Sequence, residues 1–169
     1  MWKWLVPILM SLAAPALAER PVFGPPPAPG TAIWYGIHWI DLSTEGAING
    51  TRPDETARVA MIADYVADDL TARGFTLMAP PPEAAALLNP ARSNGADVKL
   101  ARAGGADYAI SGEVHKVSNL ILSVNLYVRD AETGRDLRAG AVDIRGNTDE
   151  SYRHGYRYLL KNIIFRKEN

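Results

Sequence analysis

The run ADYAISGEVHKVSNLILSVNLYVRD, residues 106–130, constrains this chain more than any other stretch. Polar and apolar residues alternate through it at a period of two, interrupted at Ser118-Asn119, where small polar residues suit a tight hairpin connection. Two strands joined by so short a turn must pair antiparallel. A second turn at AETGRD, residues 131–136, returns the chain into LRAGAVDIRG, residues 137–146, so the last three strands form a meander. In the middle strand Leu120, Leu122, Val124, Leu126 and Val128 alternate with Ile121, Ser123, Asn125, Tyr127 and Arg129. One face is expected to take helices and the other, mostly polar, to face solvent.

Upstream the period is helical. TRPDETARVAMIADYVADDLTARG, residues 51–74, opens on Thr51 as an expected N-cap with Asp54 three residues later and Pro53 in the tolerant first turn. Val59, Ile62, Val66 and Leu70 make one apolar stripe, and Gly74 stops it. Ahead of this helix TAIWYGIHWIDLS, residues 31–43, reads as a buried strand. After it come a short strand in FTLMA, residues 75–79, and two short helical pieces in PPPEAAALLNP and ADVKLARA, residues 80–90 and 96–103. A last amphipathic helix runs from Asp149 to about Arg166, with Tyr152, Tyr156, Leu159, Leu160 and Ile163 on one face. The order β-α-β-α-β-β-β-α predicts an α+β fold: a single mixed sheet, first strands parallel, last three an antiparallel meander, helices packed on one face.

The N-terminal MWKWLVPILMSLAAPALA reads as a secretory signal peptide over residues 1–18, with Lys3, an apolar run too short to span a bilayer and Ala16-Leu17-Ala18 as the cleavage site. Residues 19–30 form a Pro-rich linker, and residues 31–169 are expected to be a single domain. The short basic leader and its alanine-rich end place the expected location in a periplasm. The mature form is expected to carry no transmembrane segment. With no cysteine, the exported chain folds without disulfides and offers neither thiol chemistry nor a Cys-ligated metal. A formal net charge of −1 argues against nucleic acid as a partner.

No motif for a nucleophile, a phosphate loop or a metal stands out. His38, His115 and His154 lie far apart, and no spacing supports Glu113 and Asp41 as a carboxylate pair; no cofactor and no metal are expected. The expected function is a non-enzymatic binding or docking module that engages an envelope protein partner or a small ligand. The alternatives are an accessory or sensor protein of a periplasmic oxidoreductase or two-component system, or an enzyme. Candidate contact residues come from two places. Asp41 and Glu45 lie in the polar loop IDLSTEGAINGT after the first strand, where ligands of parallel sheets collect. Arg145, Arg153, His154 and Arg157 belong to the segment that opens the last helix, where Arg153, Arg157 and Lys161 recur every four residues as a cationic stripe. In that segment Asn147, Thr148 and Glu150 read first as helix-capping residues.

The run from GADY through KVSNLIL, VRDAETG and DIRGNTDES resembles a bacterial family of small secreted proteins of unknown function, over about Thr31 to Phe165. Tyr152 stands where that pattern has tryptophan and His115 where it has glutamine; the resemblance carries over no catalytic residue. At the level of fold the chain is also similar to the amino-terminal domain of the periplasmic protein TolB, which implies docking or assembly rather than catalysis.

Overall fold

The structure, a computed structural model, describes residues 24–167. The expected leader lies outside the described residues, as does the linker up to residue 23. The remaining Pro-rich stretch, residues 24–30, runs without helix or strand and tucks Pro27 into the surface.

Strand β1 (Thr31–Asp41) is followed by α1 (Thr44–Asn49), α2 (Pro53–Ala72) and the short β2 (Thr76–Met78). Two 3-10 turns, Pro82–Ala86 and Pro90–Arg92, lead to α3 (Ala96–Ala103). The meander β3 (Tyr108–Ser118), β4 (Ile121–Asp130) and β5 (Asp136–Arg145) precedes α4 (Asp149–Leu159), which continues as a π turn over Leu160–Ile164. The five strands make one mixed sheet in the order β2-β1-β3-β4-β5. β1 is parallel to both β2 and β3, and the later pairs are antiparallel, as the connection lengths require.

β1 carries a bulge that the sequence pattern did not announce. Its register with β3 shifts between Trp34 and Ile37, and Gly36 takes φ 78°, a conformation that favours glycine. Before the bulge Ala32 and Trp34 face the main core; after it Ile37 and Trp39 do, so one strand serves one core across a phase change.

That main core joins Ile62, Val66 and Leu70 of α2 to Tyr152, Tyr156 and Leu159 of α4 over Ile110, Val114 and the fully buried Leu122, Val124, Leu126 and Val128. The expectation of helices on one face holds for α2 and α4 but not for α3. α3 packs on the opposite face, where Val98 and Ala101 meet Ile33, Tyr35, Ala109 and Ala131 in a second, smaller core. The polar face of β4 is therefore covered in part: Arg129 donates to Asp97 of α3 and to the carbonyl of Ala91 instead of reaching solvent.

Three local expectations shift. The loop after β1 contains a helix, α1, capped by Ser43 accepting from the Gly46 amide. The N-cap of α2 is Arg52, and the N3 residue is Glu55, whose carboxylate accepts from the Arg52 amide; Thr51 and Asp54 each stand one residue early, because the helix starts at Pro53. The hairpin turn occupies Asn119 and Leu120.

Candidate functional site

β3 presents Val114 and Lys116 to the side of α2 and α4, and Glu113 and His115 to the side of α3, since successive side chains alternate. The two charged members of this pair of faces are both buried: Glu113 is 0% exposed and Lys116 1%. A buried charge needs partners, and each has them.

Lys116 sits at the carboxyl ends of β1 and β3. Its Nζ donates to Glu55 Oε1 at 2.7 Å and Glu45 Oε2 at 3.3 Å, and stands 3.6 Å from Asp41 Oδ2. Burial alone lowers an ammonium's pKa, but the bonds it donates to Glu55 and Glu45 outweigh this and raise that of Lys116. Glu55 also accepts from Asn147 Nδ2 at 2.8 Å, and Asn147 Oδ1 in turn accepts from Arg58 at 2.9 Å and the Tyr152 hydroxyl at 3.0 Å. Asn119 at the hairpin tip donates to Glu45 Oε2 at 2.7 Å, and Arg52 pairs with Glu45 Oε1 at 3.1 Å. Asp41 Oδ1 accepts both the amide (2.8 Å) and the hydroxyl (2.5 Å) of Ser43. Gly46 is required there, since a Cβ would collide with the Asp41 carboxylate. One lysine thus ties β1, α1, α2, the β3–β4 hairpin and the entry to α4 together.

Above this hub lies an apolar tip. Leu42, Ile48, Val117, Leu120 and Ile121 are 64%, 75%, 53%, 72% and 41% exposed, and they are five of the seven large hydrophobic side chains exposed among the described residues. The segments that carry them meet at this end of the sheet. The Leu42 amide donates to the Lys116 carbonyl, which sets Leu42 beside Val117. Asn119 Nδ2 donates to Glu45 Oε2, which fastens the hairpin tip that carries Leu120 and Ile121 to α1, where Ile48 stands one turn beyond Glu45.

On the other face Glu113 is the inverse: a buried carboxylate ringed by donors. Its Oε1 accepts from Asn89 Nδ2 at 2.5 Å and Arg92 Nε at 3.0 Å, and its Oε2 from the Tyr127 hydroxyl at 3.1 Å, with His115 Nε2 at 2.8 Å. Burial pushes this carboxyl up, but the bonds from Arg92, Asn89 and His115 win and hold it at about 2. The two bonds from Asn89 and Arg92 fasten the proline-bounded strap of residues 80–92 across the sheet. Between strap and β1 is a hollow of about 530 Å³ lined by Tyr35, His38, Leu87 and several prolines.

A third feature borders β5, which is an edge of the sheet. A groove of about 540 Å³ runs along its upper half, lined by Val142, Asp143, Ile144 and Arg145 and by Glu150, Ser151, His154 and Tyr158 of α4.

The sequence candidates are thereby divided. Asp41 and Glu45 belong to the Lys116 hub; Arg145 and His154 meet in the β5 groove with Glu150; Arg157 is exposed on α4, and Arg153 lies over the Tyr65 ring at 5.6 Å. Asp54 pairs with Arg52 and Arg58. Thr148 is the residue at the α4 N-cap, accepting from the Ser151 amide, whereas Asn147 is turned into the hub. Lys116 and Glu55 were missed, and Glu113 was weighed only as a partner for Asp41; Lys116 had a signal, since it continues the core-facing alternation of Ile110 and Val114.

A family model described as "Protein of unknown function (DUF2380)", DUF3280, matches residues 30–164. No curated protein matches the sequence. Among solved structures, the PelC dodecamer from Paraburkholderia phytofirmans superposes with a TM-score of 0.50 at 12% identity, over 86% of this chain and 96% of that one. The LpoB C-terminal domain from Salmonella enterica gives 0.46 at 18% identity, over 70% of this chain and 84% of that one. TolB from Acinetobacter baumannii gives 0.42 at 13% identity, over 83% of this chain and 30% of that one. At 12% identity the likeness to the PelC structure is one of fold.

Proposed function

The chain belongs to this family of unknown function, and we propose that it is a non-enzymatic docking module of the cell envelope whose contact surface is the apolar tip. The observation that carries this reading is the gathering of five exposed aliphatic side chains at one end of the sheet. Exposed large apolar residues scattered singly need no explanation, but a cluster rimmed by polar groups marks an interaction surface. The hub makes that surface rigid before contact, which lowers the entropy lost on binding.

The two buried charges support docking rather than catalysis. A general acid or base works best near ambient pH and within reach of a substrate. Glu113 is held ionised far below neutrality with four donors around it, and Lys116 is held protonated against three carboxylates. An envelope location is part of the same proposal and is supported by the reading of residues 1–18 as a leader. No helix of the described residues is long and apolar enough to cross a membrane.

Affinity capture from an envelope extract, comparing the native chain with Leu120→Glu and Val117→Glu, tests the reading. Both substitutions are on the surface and should change stability by less than about 0.5 kcal/mol. The native chain is expected to retain a partner that both variants lose at unchanged melting temperature. Retention of the same partner by both variants would show that the contact lies elsewhere.

A further inference from the structure

We propose that the outer face of the α2–α4 layer joins two copies of this chain, matched by charge across a two-fold axis parallel to the helices. α2 and α4 run side by side in the same direction. Arg58 pairs with Asp149 near their starts, Arg153 lies over the Tyr65 ring at mid-length, and Arg73 lies over the Phe165 ring at their ends. The charges that this packing leaves over are sorted by helix. Asp64 and Asp68 of α2 and Arg153, Arg157 and Lys161 of α4 are exposed, and among the described residues none of the five makes an ion pair. Asp54, Arg58 and Asp149 are paired within the chain, as are Asp69 and Arg73. An acidic strip therefore lies beside a basic one on the same surface. The two are also in step. Asp64 and Asp68 are one turn apart, as are Arg153 and Arg157, and the contact of Arg153 with Tyr65 sets both pairs at one level.

Such a surface is its own complement, as a two-fold contact requires. An axis along the helices, between two opposed layers, sets α2 of each copy against α4 of the other. Asp64 and Asp68 then face the partner's Arg153 and Arg157, and the same pairs recur on the other side of the axis. An axis across the helices would set α2 on α2 and α4 on α4, like charge on like. A partner of one sign, such as an anionic lipid surface, would likewise meet one strip with its own charge. The face also admits close approach, since Ala57 and Ala60 are among its exposed positions on α2. Two helices about 10 Å apart, the longer about 30 Å long, offer roughly 1,200 Å² over both copies, the lower end for a specific contact. A weak, reversible and salt-sensitive dimer fits that area and those exposed pairs.

Sedimentation equilibrium of the native chain and two charge-reversed variants tests the contact. The native chain is expected to dimerise, with a dissociation constant that rises roughly tenfold when salt is raised from about 0.05 to about 0.5 M. Asp64→Lys with Asp68→Lys makes both strips basic, and Arg153→Glu with Arg157→Glu makes the face acidic throughout. Each variant alone should be monomeric at an unchanged melting temperature. Mixed in equal amounts they should associate again, because each strip of one then meets its opposite on the other. Leu120→Glu should leave the native dimer intact, which separates this face from the apolar tip. A native chain that stays monomeric at low salt would overturn the proposal. So would a dimer that survives both reversals, one that Leu120→Glu dissolves, or two folded variants that remain monomers when mixed.

Discussion

Glu113 and Lys116 stand three residues apart on one strand and solve the same problem with opposite signs. Each is a charge removed from water. Lys116 gathers carboxylates from three elements and ends under a surface that remains open; Glu113 gathers neutral and cationic donors and ends under a strap that closes over it. The hub at Lys116 supports an exposed apolar tip, while the one at Glu113 fastens a covering segment. Burial of a charge therefore says nothing by itself about function; what lies above the cluster does.

The comparison breaks first at the lysine. Lys116→Met takes from the buried Glu55 its hydrogen-bonded cation, leaving only Arg52 at 3.6 Å, and should cost roughly 3–5 kcal/mol in urea unfolding. Adding Glu55→Leu should recover part of that, since a buried pair replaced by apolar groups is often neutral. A single variant no weaker than the native chain would show that the hub contributes little.

Glu113→Gln keeps the shape and removes the charge. It should cost about 1–3 kcal/mol and raise amide exchange over residues 82–92 while leaving the tip protected; exchange rising at both places alike would erase the distinction between clamp and support. The same carboxylate sets an acid dependence. Its folded pKa, about 2, lies below the ordinary 4.5, so its contribution is fully present above pH 4.5 and disappears as the pH falls toward 2. The loss of stability over that window should be shallower in Glu113→Gln than in the native chain.

The smallest effects sharpen the reading of the segment before α4. Thr148→Ala removes one capping bond and should cost about 1 kcal/mol. Asn147→Ala strips partners from Glu55, Arg58 and Tyr152 at once and should cost more, about 1–3 kcal/mol, by thermal melting. Equal effects would mean that Asn147 acts only as part of the cap.

Much of the fold was legible. The meander, the order of strands and helices and the α2 and α4 stripes each follow from a period that repeats over ten or more residues. What escaped was short or distant. α1 spans six residues and buries none of them, so no apolar stripe marks it. The bulge at Gly36 changes phase within a strand that is apolar on both sides. The placement of α3 on the opposite face depends on Ala109 and Ala131, residues too small to declare a core. The hubs were the least visible, because Lys116 and Glu55 are 61 positions apart, and Asn147 and Glu55 are 92 apart. The carboxylates at 41 and 45 were picked out from their polar loop, but nothing in that loop names Lys116 of β3, which stands against both.

Those separations also set a schedule. Contacts between distant positions form late, since the chain must close long loops before they are rewarded. The Lys116 hub needs β1, α2, the hairpin and the entry to α4 in place together, so the tip it carries is assembled only when almost the whole chain has folded. A partner that recognises the tip would then be reading completion: an unfinished or nicked chain still exposes aliphatic side chains, but not these five in this arrangement.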